Sequence, residues 1–151
     1  MASARENIMA EVHRRLETLS GPKVTRAEVL PEAIPEAGLV NLREGEPELE
    51  GETLGVVSRL WVETLEMELV IAGADGPARA AALDALAASV AQALDVDPAT
   101  GGDPTLGGLA DHADLQPLRS VDDVAVAGAT PLRAAVLPLE VHYATGANPV
   151  G

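Results

Sequence analysis

Between Arg59 and Leu94 one period of apolar residues gives way to another across a short break, and that handover limits the chain to folds in which a long strand feeds a helix. Trp61, Leu65, Met67, Leu69 and Ile71 are apolar at odd positions, and Glu66 and Glu68 stand between them. This is the two-residue period of a strand with one face in the core and one in water. Ala72-Gly73-Ala74-Asp75-Gly76-Pro77 interrupts it. Pro77 suits the first turn of a helix, with Asp75 or Gly76 as the cap. Leu83, Leu86, Ala87, Val90, Ala91 and Leu94 then recur at three- and four-residue spacing, one apolar stripe of an amphipathic helix. At ~1.5 Å per residue, residues 78–94 span roughly 25 Å, enough to lie across a small sheet.

The other elements must pack on this pair. Ser3-Ala4-Arg5-Glu6 has the form of a capping box, and Ile8, Met9, Val12, Leu16 and Leu19 form the buried stripe of a first helix that Ser20-Gly21-Pro22 ends. Glu11, Arg14, Arg15 and Glu17 are expected to face water. Lys23 to Ala27 reads as a short strand, Pro31 and Pro35 keep the next connection extended, and Leu39, Val40 and Leu42 mark a second strand. Glu44, Glu46, Glu48, Glu50 and Glu52, with Pro47 and two glycines among them, predict a mobile acidic loop over about 44–52. Asp95 to Pro104 is a turn-rich connector. Ala113 to Ser120 reads as a strand that Pro117 confines to an edge. The closing strand alternates Ala135, Leu137, Leu139, Val141 and Tyr143 with Val136, Pro138, Glu140 and His142. Pro138 there predicts an edge or a bulge. The expected fold is one α+β domain over 1–151, a mixed and mainly antiparallel sheet of four or five strands with two helices packed on one face.

Composition narrows the function. With 151 residues, no Phe, one Trp and one Tyr, the core must be aliphatic. A formal net charge of −14, from 24 acidic and 10 basic residues, repels phosphate backbones and anionic membranes. Few aromatics leave little to stack on bases or sugars. Without cysteine there is no thiol nucleophile, thiolate metal site or disulfide, and the redox compartment stays open. No signal-peptide pattern or membrane-length apolar run is present, so neither export by that route nor a membrane partner is expected.

Residues with chemical capacity are sparse. Asp111-His112-Ala113-Asp114 sets a histidine beside two carboxylates, a set able to ligate a divalent cation or move a proton. The spacing lacks a fourth ligand, and a polar turn before a strand is the preferred reading. His13 and His142 read as boundary residues. No Gly-x-Ser-x-Gly elbow surrounds any serine. Gly101-Gly102 and Gly107-Gly108 lack the lysine of a phosphate loop and read as tight turns. No cofactor is expected, and no catalytic residue is assigned.

Two stretches and the layout carry a resemblance. Thr105-Leu106-Gly107-Gly108-Leu109-Ala110-Asp111, following an Ala/Leu-rich helix, resembles a segment common in the tail terminator, or tail completion, proteins of long-tailed bacteriophages and phage-like particles. Leu139-Glu140-Val141-His142-Tyr143-Ala144-Thr145, within the strand 134–145, is similar to that family's terminal strand. An amino-terminal helix, two short strands around prolines, a polar loop, a long strand and a helix complete the likeness. The resemblance implies a non-enzymatic virion protein, a homo-hexameric ring on the head-proximal end of the tail, assembled in the host cytoplasm. Its implied partners are other copies of itself, the tail tube protein and the head-tail connector, with DNA passing through without specific binding. The acidic run and the closing strand, at Glu44, Glu46, Glu48, Glu50, Glu52, Pro138, Glu140 and His142, are the expected donors of the ring interface. A head-tail adaptor of the same particle and a small metal-binding domain or enzyme are the alternatives.

Overall fold

The computed structural model describes residues 2–27, 29, 33–53, 55, 58–125 and 127–150. Its elements run α1 (Ala4–Leu16), β1 (Lys23–Arg26), β2 (Leu39–Arg43), β3 (Glu48–Glu52), β4 (Arg59–Ala72), α2 (Gly76–Leu94), a 3-10 turn (Pro98–Thr100), β5 (His112–Leu115), β6 (Arg119–Val124) and β7 (Leu132–Thr145). The class is α+β, as expected, but among the described residues the sheet has seven strands. Two of them come from stretches that sequence periodicity does not mark: the acidic run, and a segment that Pro117 splits into β5 and β6.

Two strands of 14 residues form the spine, β4 and β7, paired antiparallel from Arg59↔Thr145 to Ala72↔Leu132. Each carries two short strands on its outer side. β3 and β2 pair with opposite halves of β4, and β5 and β6 with opposite halves of β7. β1 adds parallel to β2. The odd residues of the spine, Leu65, Met67, Leu69 and Ile71 with Ala135, Leu137, Leu139, Val141 and Tyr143, face both helices and make one core with Ile8, Met9, Val12, Leu16, Leu83, Leu86, Val90 and Leu94. The alternation expected for the central strand is the alternation found.

Pro138 does not lie at an edge. It is buried in β7, inside the sheet, opposite Glu66 of β4. Its carbonyl accepts the Gln116 N–H at 2.9 Å, which puts its backbone groups on the side away from β4. There β5 has ended and β6 has not begun. The N–H that proline lacks would point to this same side, toward the end of β5, so the β4–β7 ladder loses no hydrogen bond. The break between β2 and β3 is a similar gap on the other flank of the spine. Gly45 sits in it so close to β4 that an added Cβ would overlap the Thr64 carbonyl oxygen.

The run 44–52 is the second correction. It is not a loop throughout: Glu48–Glu52 is a strand, with a bulge between Leu49 and Gly51. Cations offset the repulsion that argued for a loop. Glu44 meets Arg5 and Arg26, Glu50 meets His142, and Glu52 meets Arg59.

The helix ends also depart in detail. Ser3 Oγ accepts the Glu6 N–H at 3.2 Å, but Glu6 turns to Arg26 instead of completing the box. α1 stops at Leu16, before Ser20-Gly21-Pro22, and Leu19 packs on the core from beyond its end. Pro31 lies outside the described residues. No helix among the described residues is long and apolar enough to cross a membrane.

Candidate interaction surface

The connector after α2 folds around one carboxylate. Asp103 Oδ1 accepts the Thr105 N–H at 2.9 Å and the Thr105 hydroxyl at 2.6 Å, and Oδ2 accepts the Gly107 N–H at 2.7 Å. These donors hold the Asp103 pKa down at about 2, the Thr105 hydroxyl contributing most. Leu106, Gly107 and Gly108 all have positive φ, at 52°, 72° and 87°. For Leu106 that conformation is uncommon, and complete burial of its side chain holds it there. Leu109, three residues on, is 40% exposed.

Arg15 clamps the connector to the helices. Expected to face water, its side chain is 12% exposed. Its Nη1 donates to the Leu94 carbonyl at 2.7 Å, satisfying the carboxyl end of α2 with a cation where the helix dipole favours one. Asp103→Ala removes the hub of this turn and should lower the melting temperature at neutral pH. A carboxylate whose folded pKa is depressed stabilises above its unfolded value and loses that contribution as pH falls through the folded value. The gap between wild type and variant should therefore close from about pH 4 down to about 2. Melting curves across that range check it, and a gap that stays constant would refute the assignment.

The outer sheet face, away from the helices, collects Glu48, Glu50, Glu140 and His142 of the residues expected at an interface. His142 sits among them, with Nδ1 3.0 Å from Glu50 Oε2 and Nε2 2.8 Å from Glu140 Oε1. The doubly protonated ring donates to both carboxylates, so its pKa is raised, Glu50 being the largest cause. His112 lies across the register from His142, ring centroids 6.4 Å apart. Asp114 stands opposite Glu140 and accepts from Gln116 at 3.0 Å. The His142 link ties β3 to β7 over the top of β4. Because the folded pKa is raised, its contribution is complete below the unfolded value of about 6.5 and is lost as pH rises through the folded value. His142→Gln should therefore cost stability at pH 6 and little at pH 9, which thermal melts at both values would show. An equal loss at both would contradict a charge-dependent link.

Structure separates the other sequence candidates. Asp111, His112 and Asp114 do not converge as a set of three: alternation along β5 puts His112 and Asp114 on one exposed face, and Asp111 precedes the strand. Among the described residues no three His, Asp or Glu groups are placed to hold a metal ion. Glu46 and Glu48 are exposed, whereas the burial of Pro138 removes it from any surface.

Charge is distributed unevenly between the two signs. Every arginine lies within ion-pair distance of a carboxylate, including Arg43 with Glu68, Arg119 with Glu66 and Arg133 with Asp123. Lys23, on β1, is the single lysine. With 24 acidic against 10 basic residues, carboxylates are in excess over the cations that pair with them.

No protein-family model matches the chain, and no curated protein matches it. Among solved structures it is similar to a chain of the virion of a native gene transfer agent particle. The identity is 15%, the TM-score 0.45, and the alignment covers 95% of this chain and 96% of that one.

Two residues that join α1 to the inner face of the sheet carry no motif. Arg5 reaches from α1 to the buried Glu63, its Nε 2.7 Å from Oε1, and donates from Nη2 to the Gly45 carbonyl at 2.6 Å. Glu63 is 2% exposed and also accepts from the Tyr143 hydroxyl at 3.3 Å. Burial, then the Glu63 charge, pushes the tyrosine pKa up to about 12. A Glu at an odd position of β4 breaks the apolar alternation, and that was the available signal.

Proposed function

We propose that this protein is a non-enzymatic structural component of a phage-like virion, a tail terminator whose homo-hexameric ring caps the head-proximal end of the tail tube. The observation that carries the reading is how the two resembling stretches meet. Thr105 to Asp111 folds as one turn anchored by Leu106, and it runs directly onto the closing strand, where the Asp111 N–H donates to the His142 carbonyl at 2.8 Å. Residues far apart in sequence thereby form one continuous unit. The charge pattern supports the same role. A chain with a net charge of −14 whose arginines all have carboxylate partners offers DNA little counter-charge, which suits a channel through which DNA slides.

Ring closure needs two different surfaces of the subunit to meet. Direct pairing of the β3 and β6 edges is opposed, because Glu48, Glu50 and Glu52 would face Asp122 and Asp123. Copies that each carry −14 approach at least cost where charge is sparse. The exposed flank of α2, with Ala81, Ala85, Ala88 and Ser89, has Asp84 as its one carboxylate. It borders a groove of about 670 Å³ floored by Leu19, Ile71 and Leu86. Ring contacts are assigned to this flank, and the tube and connector contacts to the acidic outer face.

Light scattering with negative-stain imaging at low and high salt tests the assignment. A closed ring of six is expected, favoured at high salt because screening weakens the repulsion, and Ala85→Glu should dissociate it. A strict monomer at every ionic strength would contradict free ring assembly. Pull-down on the connector without the tube would select the adaptor role.

A further inference from the structure

β5 ends the sheet on the β7 side, and among the described residues no strand pairs with its outer edge. The Gln116 N–H donates to the Pro138 carbonyl at 2.9 Å, and the Asp111 N–H to the His142 carbonyl at 2.8 Å. Backbone groups alternate in direction along an antiparallel ladder, so those of His112 and Asp114 face β7 and those of Ala113 and Leu115 face away. Beyond that edge lies a cleft of about 400 Å³, walled on its far side by Ala91, Val96 and Pro98. An edge strand on one side and an apolar wall on the other is the geometry in which an extended peptide adds to a sheet.

The rim specifies charge. Asp97 and Asp114 line the cleft, Asp95 borders the adjoining hollow, and Asp111 is exposed beside β5. This chain does not supply a matching segment: its arginines are paired, and Lys23 lies on β1, at the opposite end of the sheet. We propose that the β5 edge is a strand-addition site for an extended, lysine- or arginine-bearing segment of a partner protein, seated between β5 and residues 96–98. Main-chain bonds to Ala113 and Leu115 would give the register, small apolar side chains would enter the cleft, and the aspartates would select cations. The inference stands apart from the ring assignment, which uses the other side of α2.

Hydrogen–deuterium exchange of the full chain tests it, with an acetylated peptide alternating lysine and valine over about eight residues, long enough to cover β5, and a glutamate–valine peptide as control. The basic peptide should slow exchange within residues 112–116, and added salt should weaken it. Asp97→Lys with Asp114→Lys, both at exposed positions, should weaken binding about tenfold or more. Leu115→Pro removes an outward N–H that the β7 ladder does not use, so it should abolish binding while the far-ultraviolet spectrum is retained. Equal binding of the two peptides, protection elsewhere on the chain, or full binding by the charge-reversed variant would each overturn the proposal. So would slowed exchange across 112–116 on raising protein concentration alone, which would mark the edge as a contact between copies.

Discussion

Arg5→Met is expected to destabilise the protein by about 3 kcal/mol, toward the lower end of what breaking a buried ion pair costs. Glu63 is 2% exposed, and Arg5 is its only cationic partner within ion-pair distance among the described residues. Without it, a carboxylate would stay in the core with the Tyr143 hydroxyl as its remaining donor. The lower end applies because the Arg5 side chain is itself 34% exposed and keeps part of its hydration. Removing both partners should cost less than removing the arginine alone, since the desolvated charge goes with them. Urea unfolding of Arg5→Met and of Arg5→Met with Glu63→Gln measures the contrast. A single variant that loses no more than a surface ion pair does would show that Glu63 is solvated in solution.

Gly45→Ala should cost a similar amount, about 3 kcal/mol, through overlap with backbone and not through lost contacts. The added Cβ would meet the Thr64 carbonyl, which cannot swing away as a side-chain tip can without moving β4. Gly51→Ala is the control, because nothing lies within 4 Å of a Cβ built there. It should be close to neutral. The Arg5 guanidinium donates to the Gly45 carbonyl, so the two sites share one seam between α1 and the β2–β3 gap. Combined, the two substitutions should fall short of the sum of their separate costs. Strict additivity in unfolding would mean that the contact is not maintained.

The spine and both helices were legible because each buries a face at its own period. Leu65 to Ile71 and Leu83 to Leu94 repeat at two and at three to four residues, and the core cluster contains the leading residues of both. What the sequence did not disclose depends on partners remote in the chain. The acidic run reads as a loop until Arg5, Arg26, Arg59 and His142 are brought to it. Pro138 reads as an edge because the side of β7 on which its missing N–H falls is decided by where β5 and β6 stop. Arg15 shows a solvent-facing pattern on α1, and only the end of α2 and the Asp103 turn bury it. Of the interface candidates, Glu50, Glu140 and His142 come from two separate strands, β3 and β7, and meet in space, whereas Asp111, though adjacent in sequence, does not join His112 and Asp114 on the face of β5 that those two share.

The central claim is tested most directly by letting the cognate tail tube protein polymerise with and without this chain and imaging the products by negative stain. The account predicts arrested tubes of limited length, each carrying a ring of this protein at one end only. Tubes that grow unchanged, with their ends bare and the protein left in the supernatant, would contradict it.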